Sequence, residues 1–268
     1  MTGISAAAPP LRSWPVMSQT WSDLAFLHWF VPPSAVAPYL PPGATADVLP
    51  DGRFRGLTPV ALVPFKMVGA GFGNGPAVPY FGTFWETNVR LYSVDAQGRH
   101  GVVFSSLDAS RLAVVLGARL ALGLPYRFSR MRGYERERLG ARELAWTTST
   151  RWPGPAGVHS RVAIRVGAVT HDFSSERHGD MPDSDADLAA FLTARWGLHT
   201  MAIGRSTFIP NEHQPWTLRS AELLLLDDGL LAAAGFPDLA RRPPDHVCFA
   251  EGVRTRFGLP ASNPRSPH

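Results

Sequence analysis

The stretch FWETNVRLY, residues 84–92, decides how the chain is read. With the two-residue period of a strand, one face carries Phe84, Glu86, Asn88, Arg90 and Tyr92, and the other carries Trp85, Thr87, Val89 and Leu91. A strand lying half in water alternates apolar with polar. Here both faces hold large rings, and one adds an acid, an amide and a guanidinium in a row. On a solvated face, Glu86 and Arg90 would form an exposed pair worth under about 1 kcal/mol. With Phe84 and Tyr92 beside them, the same three residues also fit the inner wall of a closed sheet, where a few polar groups converge on a ligand. Spacing alone leaves both readings open.

Strand signals continue outward. HGVVFSSLDA (100–109) reads as the partner strand, joined through DAQG, so residues 80–108 are expected to form a long antiparallel hairpin. QTWSDLAFLHWFV (19–31) is rich in aromatic and β-favouring residues, and ADVLPDGRFRGLTPVALVPFKMV (46–68) reads as a hairpin turning at Asp51-Gly52. Further strands are expected near 126–137, 142–152, 159–169, 198–204, 206–213, 216–226 and 246–257. PSAVAPYL (33–40) suggests a short helix. SRLAVVLGARLALG (110–123), with Ser110 as N-cap, predicts one full helix. DSDADLAAFLTARWG (183–197) predicts another, with acids in its first turn and an arginine near its end. The fold class is mostly β (α+β), with two embedded helices in one domain over 15–260 and flexible tails at 1–14 and 261–268.

Composition narrows the function classes. The chain has 268 residues, 45% of them hydrophobic, with 25 glycines and 25 prolines marking many turns between apolar runs. Its net charge of +4 rests on arginine, because Lys66 is the only lysine. The arginines are scattered and accompany no nucleic-acid motif, so no nucleic-acid partner is expected. One cysteine, Cys248, excludes an internal disulfide and a cysteine zinc cluster. There is no charged leader with an apolar core, and no apolar run approaches the ~20 residues that span a bilayer. A cytoplasmic protein with no membrane partner is expected.

Several segments could carry chemistry. The glycines at 69, 71, 73 and 75 precede prolines and a strand rather than a helix, so they read as a loop near a pocket and not as a phosphate cradle. HDFSSERHGD (171–180) brings His171, Asp172, His178 and Asp180 together without periodicity, the pattern of a solvated loop, and no metal site is expected. There is no G-x-S-x-G elbow. His28 in FLHWF (26–30) and His213 in NEHQPW (211–216) are each either hydrogen-bonded structural residues or pocket lining.

Longer motifs point further. HWFVPPSAVAPYLPPG (28–43), DGRFRGLTPVALVPFKM (51–67), ETNVRLY (86–92), GVVFSSLDA (101–109), LPYRFSRM (124–131), FLTARWGL (191–198) and HQPW (213–216) together resemble the uncharacterised YqjF-like family, a distant branch of the acetoacetate-decarboxylase-like superfamily. That resemblance implies a closed antiparallel β-barrel or cone with a buried central pocket, and it puts Glu86 where the decarboxylases place a pocket glutamate. Their Schiff-base lysine follows the helix after this hairpin. Here LGLPYRFSRMR (122–132) has none, and arginine stays protonated and non-nucleophilic. Lys66, on another strand, is the only substitute amine. The expectation is a pocket for a small carbonyl or carboxylate compound, with Glu86 as the proton-transfer group and His28, Asn88, Arg90, Tyr92, Tyr126 and His213 as lining. Acid/base lyase, isomerase or hydrolase chemistry on a keto acid would need no cofactor. The alternative is a binding or structural protein that kept the barrel without the chemistry, and either form is compatible with a homo-oligomer.

Overall fold

The computed structural model describes residues 4–138, 140–174, 184–202 and 204–262. It is mostly β. The strands are β1 (Met17–Val31), β2 (Ala44–Ala46), β3 (Thr58–Phe72), β4 (Phe84–Asp95), β5 (His100–Ala109), β6 (Tyr126–Arg138), β7 (Ala141–Trp152), β8 (His159–Asp172), β9 (Gly197–Ala202), β10 (Arg205–His213), β11 (Thr217–Asp228), β12 (His246–Phe257) and β13 (Ala261–Ser262). The helices are α1 (Pro33–Val36), α2 (Leu112–Leu122), α3 (Ser184–Thr193) and α4 (Leu230–Ala233). Among the described residues the strands join in the order β13-β10-β9-β5-β6-β7-β8-β11-β12-β1-β3-β4-β2, and β4 also pairs with β5, and β10 with β12. Pairing is antiparallel except where β5 meets β6, with Leu107 beside Tyr126, and β9, with Val102 beside Leu198.

Both faces of β4 are buried, which accounts for the rings on both sides of its sequence. Val89 and Leu91 pack with Leu27, Trp29, Leu62 and Ile164 in one core cluster. On the other face Phe84 and Tyr92 join Phe26, Phe65, Met67 and Trp216 in a second. Burying such side chains contributes roughly 1.5–3 kcal/mol apiece. A one-residue slip would exchange the two faces, so the register Phe65 beside Glu86 and Lys66 beside Trp85 is strongly fixed.

β1 changes face along its length. Met17, Gln19 and Trp21 border the same cavity as Leu24 and Phe26, although odd and even positions should point apart. The inserted residue is Asp23, in the left-handed region at φ 55°, at a register shift against β3. Across the β1–β12 pairing, Gly252 stands beside the preceding Ser22 with φ 145°, where a Cβ would lie 2.2 Å from the Trp21 carbonyl oxygen.

Local expectations change in four places. The hairpin expected to turn at Asp51-Gly52 does not form: a longer loop closes where the Leu49 N–H donates to the Leu57 carbonyl at 2.9 Å, and β2 pairs with β4 and not with β3. Ser110 does not cap a helix. Its Oγ accepts the Trp85 N–H at 3.0 Å, and α2 begins at Leu112 with Leu112, Leu116 and Leu120 exposed. The segment before β1, expected as a tail, is tied down where Trp196 Nε1 donates to the Ser5 carbonyl at 2.9 Å and the Leu11 N–H donates to Glu212 at 3.0 Å. α4 was not anticipated. No described helix is long and apolar enough to cross a membrane.

Candidate functional site

The β4 face carrying Glu86, Asn88 and Arg90 borders a cavity of about 410 Å³, within the usual range for small-molecule sites. Most of its wall is aromatic or aliphatic and comes from β1, β3, β4, β5, β10 and β12. Tyr126 of β6 and Asn211 and His213 of β10 add polar groups.

Glu86 is 3% exposed. Its Oε2 accepts the Tyr126 O–H at 3.0 Å, and the Asn88 side chain also bonds to it. Among the described residues no cation forms an ion pair with it. Burial drives the carboxyl up to about 8, the two hydrogen bonds offset this only in part, and the Asp108 carboxylate pushes it further. A buried carboxyl without a counter-charge takes up a proton rather than bear desolvation. At neutral pH Glu86 is therefore predominantly the neutral acid. The Tyr126 phenol is held well above its ordinary value by burial and by Glu86.

Arg90 turns away from Glu86. Its Nη2 donates to Tyr92 Oη at 2.8 Å and to the Leu192 carbonyl at 3.1 Å, and its guanidinium lies 5.0 Å from the Phe26 ring centroid. Tyr92 donates to the same Leu192 carbonyl at 2.9 Å, and its oxygen also meets His28 Nε2 at 2.9 Å. With the Tyr92 proton committed to Leu192, His28 donates from Nε2, and its Nδ1 accepts from His246 Nδ1 at 3.3 Å. His28 and Tyr92 are thus not among the residues bordering the cavity; they stand behind Arg90. Burial, then His246 and Arg90, hold His28 well below its ordinary value, so it is neutral.

His213 does border the cavity. Its Nδ1 donates to the Gln214 carbonyl at 2.6 Å, and its ring sits between Trp196 and Trp216, with centroids 4.6 and 4.7 Å away. Burial lowers it to about 4, which leaves a neutral imidazole with Nε2 free to accept.

Sequence reasoning missed Arg195, Asn211, Trp21 and Gln19, all of which border the cavity. Asn211 was within reach, two residues before His213 on one strand face. Arg195 looked like a helix-end charge; it folds inward, donating to the Phe191 carbonyl and pairing with Asp47, while stacking 4.7 Å from the Tyr92 ring centroid. Four polar atoms buried without a protein partner also belong to this wall: Trp21 Nε1, Asn88 Oδ1, Arg90 Nε and Asn211 Oδ1. Each such group costs about 1–3 kcal/mol unless something satisfies it.

Other clusters carry less. Ser93, His199 and Asp95 form a hydroxyl–imidazole–carboxylate chain, with Ser93 Oγ 2.8 Å from His199 Nδ1 and His199 Nε2 3.2 Å from Asp95. Ser93 is 0% exposed, so it offers no nucleophile to a substrate. Lys66 borders a separate surface groove, with its ammonium 5.5 Å from the Trp85 ring centroid, and is not part of the cavity wall. His171 stacks on Phe173, and Asp172 accepts from Ser174 and Thr217. His178 and Asp180 lie outside the described residues, and among those described no three ligating side chains form a metal group.

Comparison with known proteins agrees with this architecture. The chain is 28% identical over 207 residues to the uncharacterized protein YqjF of Bacillus subtilis (strain 168), covering 77% of this chain and 76% of that one. Among solved structures it is similar to the enduracididine biosynthesis enzyme MppR complexed with pyruvate, at a TM-score of 0.59 and 15% identity over 98% of this chain and 99% of that one. An acetoacetate decarboxylase-like enzyme from Sphingomonas wittichii RW1 gives a TM-score of 0.58 at 12% identity, covering 93% of both chains. Acetoacetate decarboxylase from Legionella pneumophila gives 0.56 at 11%, over 96% of this chain and 92% of that one. These similarities place the fold among the acetoacetate-decarboxylase-like proteins. A family model described as an uncharacterized conserved protein, DUF2071, matches residues 18–254, and the chain belongs to that family.

Proposed function

We propose that the cavity binds a small carboxylate bearing a carbonyl group, and that Glu86 exchanges a proton with it. The observation that carries this reading is a buried carboxyl, held near 8, on the same strand face as a guanidinium, where among the described residues no cation pairs with the first and no carboxylate with the second. Arg90 supplies the charge that a ligand carboxylate needs. Near neutral pH Glu86 can act as an acid toward a carbonyl oxygen, and as a base once ionised, the condition that favours proton transfer. A protein of the same fold is complexed with pyruvate, which has this chemistry. Schiff-base decarboxylation is not part of the proposal, because Lys66 is on the other face of β3 from Phe65 and Met67, which border the cavity. The proposal includes enclosure of the ligand by a closed barrel, supported by the β4–β5 and β10–β12 pairings, and a cytoplasmic location, to which a buried, unreactive Cys248 is suited.

A second reading, binding without chemistry, has its own support. Tyr126 and His213 are held far from neutrality, so among the described residues of the cavity wall neither joins Glu86 as a group poised near working pH. NMR of pyruvate and related 2-keto acids in D₂O separates the two. Proton transfer predicts protein-dependent deuterium exchange at the carbon next to the carbonyl, abolished in Glu86→Gln. Binding without exchange selects the second reading, and no binding of any carboxylate overturns both.

A further inference from the structure

We propose a second ligand site, independent of the cavity, in the surface groove around Lys66: a site for a small dianionic phosphate monoester. The period of β3 and β4 creates it. Phe65 and Glu86 are paired and border the cavity, so the next pair, Lys66 and Trp85, points to the opposite side, where β6 and the start of α2 complete a groove of about 510 Å³. The Trp85 indole is fixed there because residue 133 is glycine; a Cβ at that position would lie 2.2 Å from the ring.

Three cations border this groove, Lys66, Arg111 and Arg130, and the Arg111 guanidinium is oriented by donating to the Tyr80 carbonyl at 3.2 Å. Its border contains no acidic residue, and among the described residues none of the three forms an ion pair. This contrasts with the arginines of the neighbouring strands. Arg142 pairs with Asp23, Glu135 and Glu251, and Arg165 with Glu143 and Glu222. Unmatched like charges held together on a surface repel one another, and an anion between them relieves that repulsion.

Two hydroxyls add directional donors. Ser110 Oγ accepts the Trp85 N–H at 3.0 Å, and Thr83 Oγ1 accepts the Gly69 N–H at 3.2 Å. Each hydroxyl spends lone-pair capacity on the backbone and keeps its own hydrogen to donate. Ser129 is different, because its hydroxyl already donates to Asp108 at 2.8 Å and is spent. Three positive charges and two O–H donors match a doubly charged tetrahedral oxyanion better than a single carboxylate. Lysine suits phosphate as a compact point charge, and Lys66 is the only lysine in the sequence.

The test is titration calorimetry of the full chain at fixed ionic strength with inorganic phosphate, phenyl phosphate and benzoate. Saturable one-to-one binding of a phosphate is the expected result. Phenyl phosphate binding more tightly identifies an ester, and equal affinities identify the free ion. Lys66→Met, which keeps most of the stem over Trp85, and Arg130→Ala should each weaken binding at least tenfold, while Glu86→Gln, in the cavity, should leave it unchanged. Arg254→Ala, an exposed arginine outside the groove, is the control for diffuse basic charge. Benzoate binding as tightly as phosphate, unchanged affinity in Lys66→Met, or an equal loss in Arg254→Ala would each overturn the proposal.

Discussion

Two buried arginines stack on the same tyrosine and meet different fates. Arg195 lies 4.7 Å from the Tyr92 ring centroid and is paired with Asp47, which also accepts from His100 at 2.7 Å. Arg90 lies 5.3 Å from that centroid and donates to the Tyr92 hydroxyl and the Leu192 carbonyl, with no carboxylate paired to it among the described residues. Glu86, four residues earlier on the same strand face, has no paired cation among the described residues and holds its proton instead. The first cluster is balanced within the protein, and its charges serve the fold. The second leaves one positive charge and one neutral acid on a cavity wall, the arrangement that the proposed carboxylate ligand would complete. The same residue types therefore read as structure or as site according to whether their charges are already matched.

The largest effect should come from breaking the matched pair. Asp47→Asn leaves Arg195 charged, 4% exposed and unpaired, and should destabilise the protein by about 3–5 kcal/mol in denaturant unfolding. Burial raises Asp47, but His100 and Arg195 outweigh it and hold it below its ordinary value of 3.8. Its contribution is therefore present above that pH and is lost as the pH falls through the lower folded value. A loss under about 1 kcal/mol would show that Arg195 does not depend on Asp47.

Arg90→Met should act on binding and not on folding. A carboxylate ligand should lose roughly thirtyfold to hundredfold in affinity while the melting temperature holds, because no internal acid is stranded. A large drop in stability with unchanged affinity would move Arg90 into the structural class.

Glu86→Gln sharpens the contrast through pH. The folded state favours the protonated acid, whose value rises from 4.5 to about 8, so wild type loses stability as the pH climbs through that window and levels off above it. The Gln variant has no such slope, and should be the more stable of the two by about 1–3 kcal/mol at pH 8. Thermal melts from pH 5 to 9 read the gap; a gap of the opposite sign would mean that Glu86 folds as an anion. The smallest effect belongs to Tyr126→Phe. Losing its hydrogen bond removes an interaction that lowers Glu86, so the Glu86 value should rise further at about 1 kcal/mol cost in stability, seen as a shift of any pH profile toward alkali.

How much of this was legible depended on periodicity. The hairpin, expected over 80–108 and found over 84–109, and the shared face of Glu86, Asn88 and Arg90 followed from the two-residue repeat, because β4 carries no inserted residue and the register shift beside Arg90 falls on β5. Whether that face was wet or enclosed did not follow, since enclosure depends on strands more than 100 residues later. β1 hid its contribution for the opposite reason. Asp23 breaks the repeat, so no alternation in QTWSDLAFLHWFV could put Trp21 and Phe26 at one cavity. Arg195 was misplaced because a helix-end arginine is ordinarily solvated, and nothing local announced Asp47, separated from it by 148 positions. The roles of His28 and Tyr92 depend on the Leu192 carbonyl, a backbone group to which sequence pattern gives no clue.

The central claim is that Glu86 is a neutral, unpaired acid in the ligand cavity. Its most direct test is a carboxyl-carbon NMR titration of glutamate-labelled protein, with Glu86→Gln used to assign the signal. The account predicts one glutamate resonance that titrates near pH 8, is absent from the variant, and moves on addition of a bound 2-keto acid. A Glu86 resonance titrating at or below 4.5 would show an ordinary anion, and would contradict both the unpaired acid and the proton-transfer role built on it.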